Sequence, residues 1–211
     1  MAITVDATSS GTASVGTTVT VSHTVGAGSN RLLVVMMGFN DATPGFPSSV
    51  TFNSVAMTEL GGVGSTNNPM VTDGWYLLNP DVGTYDIVVT KDSGVPFAVS
   101  AISLFGATTP GDNDAVTGDA ATSSSLSLTA TKAGMTIDCI VTSLTAPTVN
   151  ASQTAFGAAA NFSGTMDYSS SYKLVSAGTP TMDWTFTLSD YVQGGLFVPE
   201  VTTFKPIIAS F

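Results

Sequence analysis

The sequence predicts an all-β protein, a two-sheet antiparallel sandwich of jelly-roll or Greek-key type. Short apolar segments bounded by Gly, Pro, Asn or Asp recur along the chain, among them NRLLVVMMGF at 30–39, WYLLNP at 75–80 and YDIVVT at 85–90. Apolar and polar residues alternate in many other segments, as in half-buried strands. No stretch of a dozen residues shows a 3.6-residue period, and good helix formers such as Glu, Lys and Arg are scarce.

Two patterns identify the strands. In 17–25, TTVTVSHTV, valines alternate with Thr and Ser, which predicts one buried face that includes His23. The runs 32–37 and 97–105 are apolar on both faces, as expected of central strands covered on two sides. The predicted strands are 17–25, 31–39, 49–52, 55–60, 74–78, 84–91, 97–105, 125–131, 135–142, 168–175, 181–188 and 193–204. Only 150–162 is a candidate for a helical turn.

The same alternation selects core side chains. We expect burial of Leu33, Val35, Ile87, Val89, Ile102, Ile137 and Trp184. Cys139 shares a predicted strand face with Met135, Ile137 and Val141 and has no second cysteine to pair with. This context predicts a buried, inert thiol.

Length and composition favour a single domain whose surface is suited to contacts with other protein subunits. A chain of 211 residues suits a single large β domain, which we predict over 1–204. The alternative is two smaller β domains joined by a linker in the Ser/Thr/Gly-rich stretch 107–124. Charged residues make up 9% of the chain, against roughly 25% in an average soluble domain. The surface must therefore consist of Ser, Thr, Asn and Gly, whose ordering costs little side-chain entropy. Such a surface favours lattice or multisubunit contacts.

The charge distribution argues against a nucleic-acid partner, and the length of the apolar runs argues against a membrane-spanning segment. The formal net charge is −10, and the few cations, Arg31, Lys91, Lys132, Lys173 and Lys205, are scattered along the chain. Without a basic stripe, we expect no nucleic-acid partner. No run approaches the roughly 18 apolar residues of a membrane helix, and the N-terminal residues lack the pattern of a signal peptide. We therefore expect no membrane insertion and synthesis without a recognisable secretion signal.

Few residues or motifs that could support catalysis are present. His23 is the single histidine and no GxSxG motif surrounds any serine, which disfavours a serine hydrolase. Glu59 and Glu200 could pair with an aspartate for glycoside hydrolysis, but two glutamates in 211 residues make this a weak pattern. We expect no enzymatic activity, no catalytic residue and no cofactor.

A metal site is the remaining chemical option. Asp112, Asp114 and Asp119 lie in DNDAVTGD, and clustered oxygen ligands suit calcium. The segment lacks the fifth-position ligand and the distal Glu of a calcium-binding loop. One His and one Cys do not make a structural zinc site. The prediction is therefore no metal, with calcium between Asp112 and Asp119 left open.

Several segments together resemble a known family. They are SHTV at 22–25, NRLLVV at 30–35, VTFNSVAMT at 50–58, WYLLNP at 75–80, GTYDIVVT at 83–90, FGA at 105–107 and TTPGD at 108–112. The pattern resembles jelly-roll or lectin-like β-sandwich modules found in phage structural proteins and in bacterial secreted or surface proteins. The resemblance implies the same fold and carries no catalytic motif.

Trp75 and Tyr76 are the candidate ligand-contacting aromatics. Neighbouring strand residues point to opposite faces, so one ring should enter the core and the other should lie nearer the surface. An exposed aromatic ring can stack on a sugar or anchor a protein contact. The alternative is that both rings complete the cores of the sheets.

The expected function is that of a non-enzymatic structural protein on the outer surface of a virion, such as a capsid decoration or cement protein or a head fibre. It explains the acidic charge, the scarcity of Lys and Arg and the polar but uncharged surface. The alternative is a carbohydrate- or receptor-binding module of a phage fibre or surface appendage, located outside a cell or at its surface. A hydrolase is the third class, and the composition argues against it.

The last residues suggest how the protein assembles. The segment 205–211 is predicted to be a C-terminal arm, and four large apolar side chains lie in and beside it: Phe204, Ile207, Ile208 and Phe211. Pro206 prevents this segment from continuing a central strand ladder. We expect the arm to pack on another subunit or on a capsid shell, with a homotrimer favoured. Packing on its own domain is the alternative.

Overall fold

A computed structural model describes residues 1–13, 15–41, 45–64, 69–159, 162–164 and 166–202. Within these ranges every regular element is a β-strand. The strands are β1 (Thr4–Ala13), β2 (Thr18–Val25), β3 (Leu32–Asn40), β4 (Ser49–Phe52), β5 (Val55–Ala56), β6 (Thr58–Gly64), β7 (Met70–Leu78), β8 (Gly83–Thr90), β9 (Phe97–Phe105), β10 (Asn113–Ser127), β11 (Gly134–Thr142), β12 (Thr148–Val149), β13 (Thr154–Ala159), β14 (Asp167–Val175) and β15 (Thr181–Pro199).

The strands form three antiparallel sheets. The central sheet has the order β1-β9-β3-β7-β6. The N-terminal outer sheet has the order β2-β8-β4-β5, and the C-terminal outer sheet has the order β10-β15-β11-β14-β13, with β12 also paired to β15. The predicted all-β antiparallel sandwich is confirmed, and it consists of three sheets rather than two.

The central sheet is covered on both faces, which explains why β3 is apolar along almost its whole length. Leu32, Val34 and Met36 join a core with side chains of the C-terminal outer sheet. Their neighbours Leu33 and Val35 point the other way, into a core shared with the N-terminal outer sheet. Successive residues of a strand alternate between faces, so a strand in a middle layer must be apolar at every position.

The core predictions are confirmed. All of the selected side chains are buried: Leu33, Val35, Ile87, Val89, Ile102, Ile137 and Trp184. Cys139 is buried and unpaired, and burial raises the pKa of its thiol well above its ordinary value. His23 also lies on the buried face of β2.

Three sequence expectations about elements are corrected. Residues 154–159, within the candidate helical turn, form strand β13 because they pair with β14 in an antiparallel ladder. The stretch 107–124, considered as a linker, contributes the first part of β10 from residue 113. The predicted strands 181–188 and 193–204 form one strand, β15, which ends at Pro199 and pairs with both β10 and β11.

Candidate functional site

A serine and the single histidine lie in contact at the edge between the central sheet and the N-terminal outer sheet. Ser9 Oγ lies 2.8 Å from His23 Nδ1. The imidazole is 2% exposed, its Nε2 has no hydrogen-bond partner, and burial lowers its pKa to about 4. The nearby Asp6 carboxylate accepts hydrogen bonds from Gly26 N and Ser103 Oγ. This arrangement lacks the carboxylate that orients the base in a catalytic triad, and a substrate has no access to the ring.

A buried carboxylate lies on the other side of the molecule, in the C-terminal outer sheet. Asp138 accepts hydrogen bonds from Ser171 Oγ at 2.5 Å, Trp184 Nε1 at 2.6 Å and Gln193 Nε2 at 2.7 Å. Burial raises the pKa of Asp138 to about 6, although these three donors oppose the rise. Every contact is made to a neighbouring strand, so this group acts as a structural link.

The candidate aromatics on β7 divide between the two cores. Trp75 is 8% exposed and packs in the core shared with the N-terminal outer sheet. Tyr76 is half-buried and packs against the opposite core. The Trp75 indole Nε1 donates a 2.9 Å hydrogen bond to Asp73. The prediction that the two rings face opposite ways is therefore confirmed, and Tyr76 is the more accessible of the two.

The predicted calcium ligands form no cluster and the two glutamates lie on different elements, but Glu59 lies near Asp73: burial raises the pKa of Asp73 to about 7, and the Glu59 charge adds to the rise. Asp112 accepts a hydrogen bond from Thr129 N at 2.6 Å, Asp114 accepts one from Ala115 N at 2.8 Å, and Asp119 lies within β10. Glu59 lies on β6 of the central sheet, while Glu200 follows β15. Across the described ranges, no three His, Cys, Asp or Glu side chains form a cluster able to hold a metal ion.

A cavity opens where the central sheet meets the C-terminal outer sheet. Its volume is about 210 Å³. Met36, Leu60 and Leu196 contribute apolar surface, and Asn113 and Asp114 are exposed polar residues of its wall. The remaining lining residues are Gly61, Thr72, Asp73, Gly74, Ala115, Gly194 and Gly195.

Two glycines keep this cavity open. A Cβ at Gly74 would lie 3.2 Å from Met36 Sδ and 3.5 Å from Leu60 Cδ1, so a side chain there would occupy the space between them. A Cβ at Gly194 would lie 2.8 Å from Thr72 Oγ1. Sequence reasoning missed this site, although a Thr-Asp-Gly interruption of the apolar run in β7 and the Gly-Gly pair in β15 were visible signals.

The outward face of the N-terminal outer sheet forms a second surface feature, here called the hydroxyl face. Among the residues of β2, β8 and β4 that point outward, all except Val88 and Asp86 are Ser or Thr. The hydroxyl face consists of Thr18, Thr20, Ser22, Thr24, Ser49, Thr51, Thr84 and Thr90. Thr24 Oγ1 and Thr84 Oγ1 lie 2.8 Å apart across the strands.

The predicted arm residues Phe204, Ile207, Ile208 and Phe211 lie outside the described residues. In the described ranges there is no helix with the length and apolar character needed to span a bilayer. Comparison of the chain with protein-family models, with curated proteins and with solved structures found no match.

Proposed function

We propose that this protein is a non-enzymatic structural component of a virion, located on the outer surface of the particle as a decoration or cement protein or as a head fibre. The observation that carries the proposal is the hydroxyl face. A sheet backed by a full core presents short side chains in regular rows, and Asp86 is the one charged residue on the outward β2, β8 and β4 rows. Covering such a surface with a neighbouring subunit costs little rotamer entropy and buries few charges.

The burial of reactive groups supports a structural role. His23 and Cys139 are buried, and Asp138 is fully occupied by donors from neighbouring strands. The described surface therefore offers hydroxyls and scattered carboxylates rather than an activated nucleophile or base.

The sequence of the C-terminal arm adds a proposed assembly contact. We propose that 205–211 packs on another subunit or on the shell, within a homotrimer. Each fully buried large apolar side chain in this segment would contribute about 1.5–3 kcal/mol to the contact.

Particle binding is the direct test. Antibodies against the purified protein should label the surface of particles made by the virus that encodes it, as seen by immunogold electron microscopy. The Thr20→Lys variant places a charge on the hydroxyl face and should reduce particle occupancy. Thr122→Lys, at an exposed position of β10 in the C-terminal outer sheet, is the matched control.

Deletion of 205–211 tests the arm separately. The shortened chain should keep its β-sheet circular dichroism spectrum and lose trimer formation in light scattering. Unchanged particle occupancy for both the shortened chain and Thr20→Lys would contradict the structural proposal.

The cavity favours a second candidate function, a carbohydrate- or receptor-binding module of a fibre or surface appendage. Ligand sites are concave, with apolar walls and a few polar groups that orient the ligand. The cavity combines these features at an accessible junction of two sheets.

A further inference from the structure

The cavity between β6, β7, β10 and β15 contains a buried hydroxyl group without a partner. Thr72 is 1% exposed, and its Oγ1 makes no hydrogen bond to the protein. The side chain faces the C-terminal outer sheet, because a Cβ at Gly194 would lie 2.8 Å from Oγ1. Buried hydroxyls in proteins are normally paired with protein or with ordered water, so an unpaired one on a cavity wall leaves a hydrogen-bonding position for a group in the cavity.

The size of the cavity restricts what can enter. About 210 Å³ is less than the roughly 300–1,000 Å³ of sites for drug-sized molecules. One small ring can be accommodated, whereas a nucleotide or a peptide segment cannot. The β-bulge at Leu60, between Glu59 and Gly61, shapes the wall on the side of the edge strand β6.

The charge of the wall restricts the ligand further. Asp114 is an exposed acidic residue of the cavity wall, no cationic residue lines the cavity, and the whole chain carries a net charge of −10. An anionic ligand would be repelled. Asp73 lines the cavity through its backbone, because its carboxylate lies with Trp75 on the opposite face of β7, where it accepts hydrogen bonds from Gly74 N at 2.7 Å and from Trp75 Nε1 at 2.9 Å.

A neutral, hydroxyl-rich ring satisfies all of these conditions. One face of a pyranose ring exposes C–H groups, which match Met36, Leu60 and Leu196, and its edges carry hydroxyls. We propose that the cavity binds a single neutral pyranose residue, with one sugar hydroxyl bonded to Thr72 Oγ1 and the outer edge near Asn113 and Asp114. This inference rests on the second proposed function, carbohydrate recognition, and is independent of the lattice role.

Ligand-observed saturation-transfer NMR on the full chain tests the site. The probes are D-glucose, D-galactose, D-mannose and N-acetyl-D-glucosamine, each at about 5 mM, because one small sugar binds with a dissociation constant on the order of 1 mM. At least one of them should give a transfer signal. An array of immobilised neutral glycans, on which the same sugar is the terminal residue, should retain the protein.

Two variants address the cavity and one serves as control. Thr72→Val removes the hydroxyl and keeps the shape, so binding should weaken about threefold to tenfold, the effect of one neutral hydrogen bond. Gly74→Ala places a methyl group between Met36 and Leu60 and should abolish the signal. Thr122→Val makes the same chemical change at an exposed position of β10 that does not line the cavity, and should bind as the wild type does.

The outcomes separate the two proposals. Sugar binding that is equal in the wild type, Thr72→Val and Gly74→Ala would overturn the cavity assignment and leave carbohydrate recognition in place. The absence of any signal for the wild type, both in NMR and on the array, would overturn carbohydrate recognition and the cavity site together.

Discussion

Trp184 Nε1 lies 2.6 Å from Asp138 Oδ2, and this hydrogen bond connects β15 with β11 on the side of the C-terminal outer sheet that faces away from the central sheet. Ile137 and Cys139, the neighbours of Asp138, point into the core, so the carboxylate points outward. It is nevertheless buried. Ser171 on β14 and Gln193 on β15 donate to the same carboxylate. The network therefore links three adjacent strands through one ionisable group.

Stability should depend on pH through Asp138. Its folded pKa of about 6 lies above the ordinary value of 3.8, so the folded state retains a proton that the unfolded state releases between pH 4 and 6. The stabilisation from this proton is complete below pH 4 and is lost as the pH rises through 6. A rise of the Asp138 pKa from 3.8 to about 6 corresponds to about 3 kcal/mol of unfolding free energy. Asp138→Asn keeps hydrogen-bonding groups at this position but cannot titrate. The variant should therefore lose the decrease in unfolding free energy that Asp138 causes between pH 4 and 6.

Urea denaturation between pH 4 and 7 measures this effect as the difference in unfolding free energy between the variant and the wild type. The difference should increase in favour of Asp138→Asn as the pH rises. Asp86→Asn, at an exposed position of β8 beside the hydroxyl face, should follow the wild type. Parallel curves for Asp138→Asn and the wild type would contradict the assignment.

Removal of the buried Lys91 cation should destabilise the fold strongly. Lys91 Nζ lies 3.3 Å from Asp41 Oδ2 and 4.6 Å from the centre of the Phe39 ring, and it donates to the Gly45 carbonyl. Lys91→Met would leave a buried carboxylate without its cation, at a cost of about 3–5 kcal/mol. Thermal and urea unfolding measure the loss. A matched change at Lys132, which is only partly buried and donates to Thr202 Oγ1 at the surface, should cost less than about 0.5 kcal/mol. Equal effects at the two sites would contradict the prediction.

Thr72→Val should leave stability unchanged or increase it by about 1–2 kcal/mol, because the variant removes a buried hydroxyl that has no protein partner. Urea denaturation without sugar is the measurement, with Thr20→Val as the exposed comparison. A loss of more than about 1 kcal/mol would show that the Thr72 hydroxyl is satisfied in the folded protein.

The purified protein should not hydrolyse ester, peptide or glycoside substrates above background. The His23 ring is buried, its contact with Ser9 is partly buried, and burial lowers the pKa of the imidazole to about 4. A chromogenic ester assay at pH 7 should give the same rate for the wild type, Ser9→Ala and a buffer blank. Turnover that disappears in both Ser9→Ala and His23→Gln would establish a hydrolase instead.

The local pattern of the sequence was sufficient for most of the strands and for the core. Alternation within 17–25 and continuous apolar runs in 32–37 and 97–105 report directly which faces are buried, because the side-chain period of a strand is two. Strand β1 was not predicted, since Thr4–Ala13 contains a bulge at Asp6 and has little apolar alternation. Its place in the sheet comes from pairing with β9.

The layer order, the cavity and the Asp138 network were decided only by the tertiary structure. Apolar residues on both faces of β3 predict two covering surfaces without indicating that β11 supplies one and β8 the other. Likewise, Thr72 and Gly194 are 122 positions apart in the sequence and come together because the central sheet packs on the C-terminal outer sheet. Local periodicity carries information about burial, while contacts between distant strands depend on which sheets pack together and in which register.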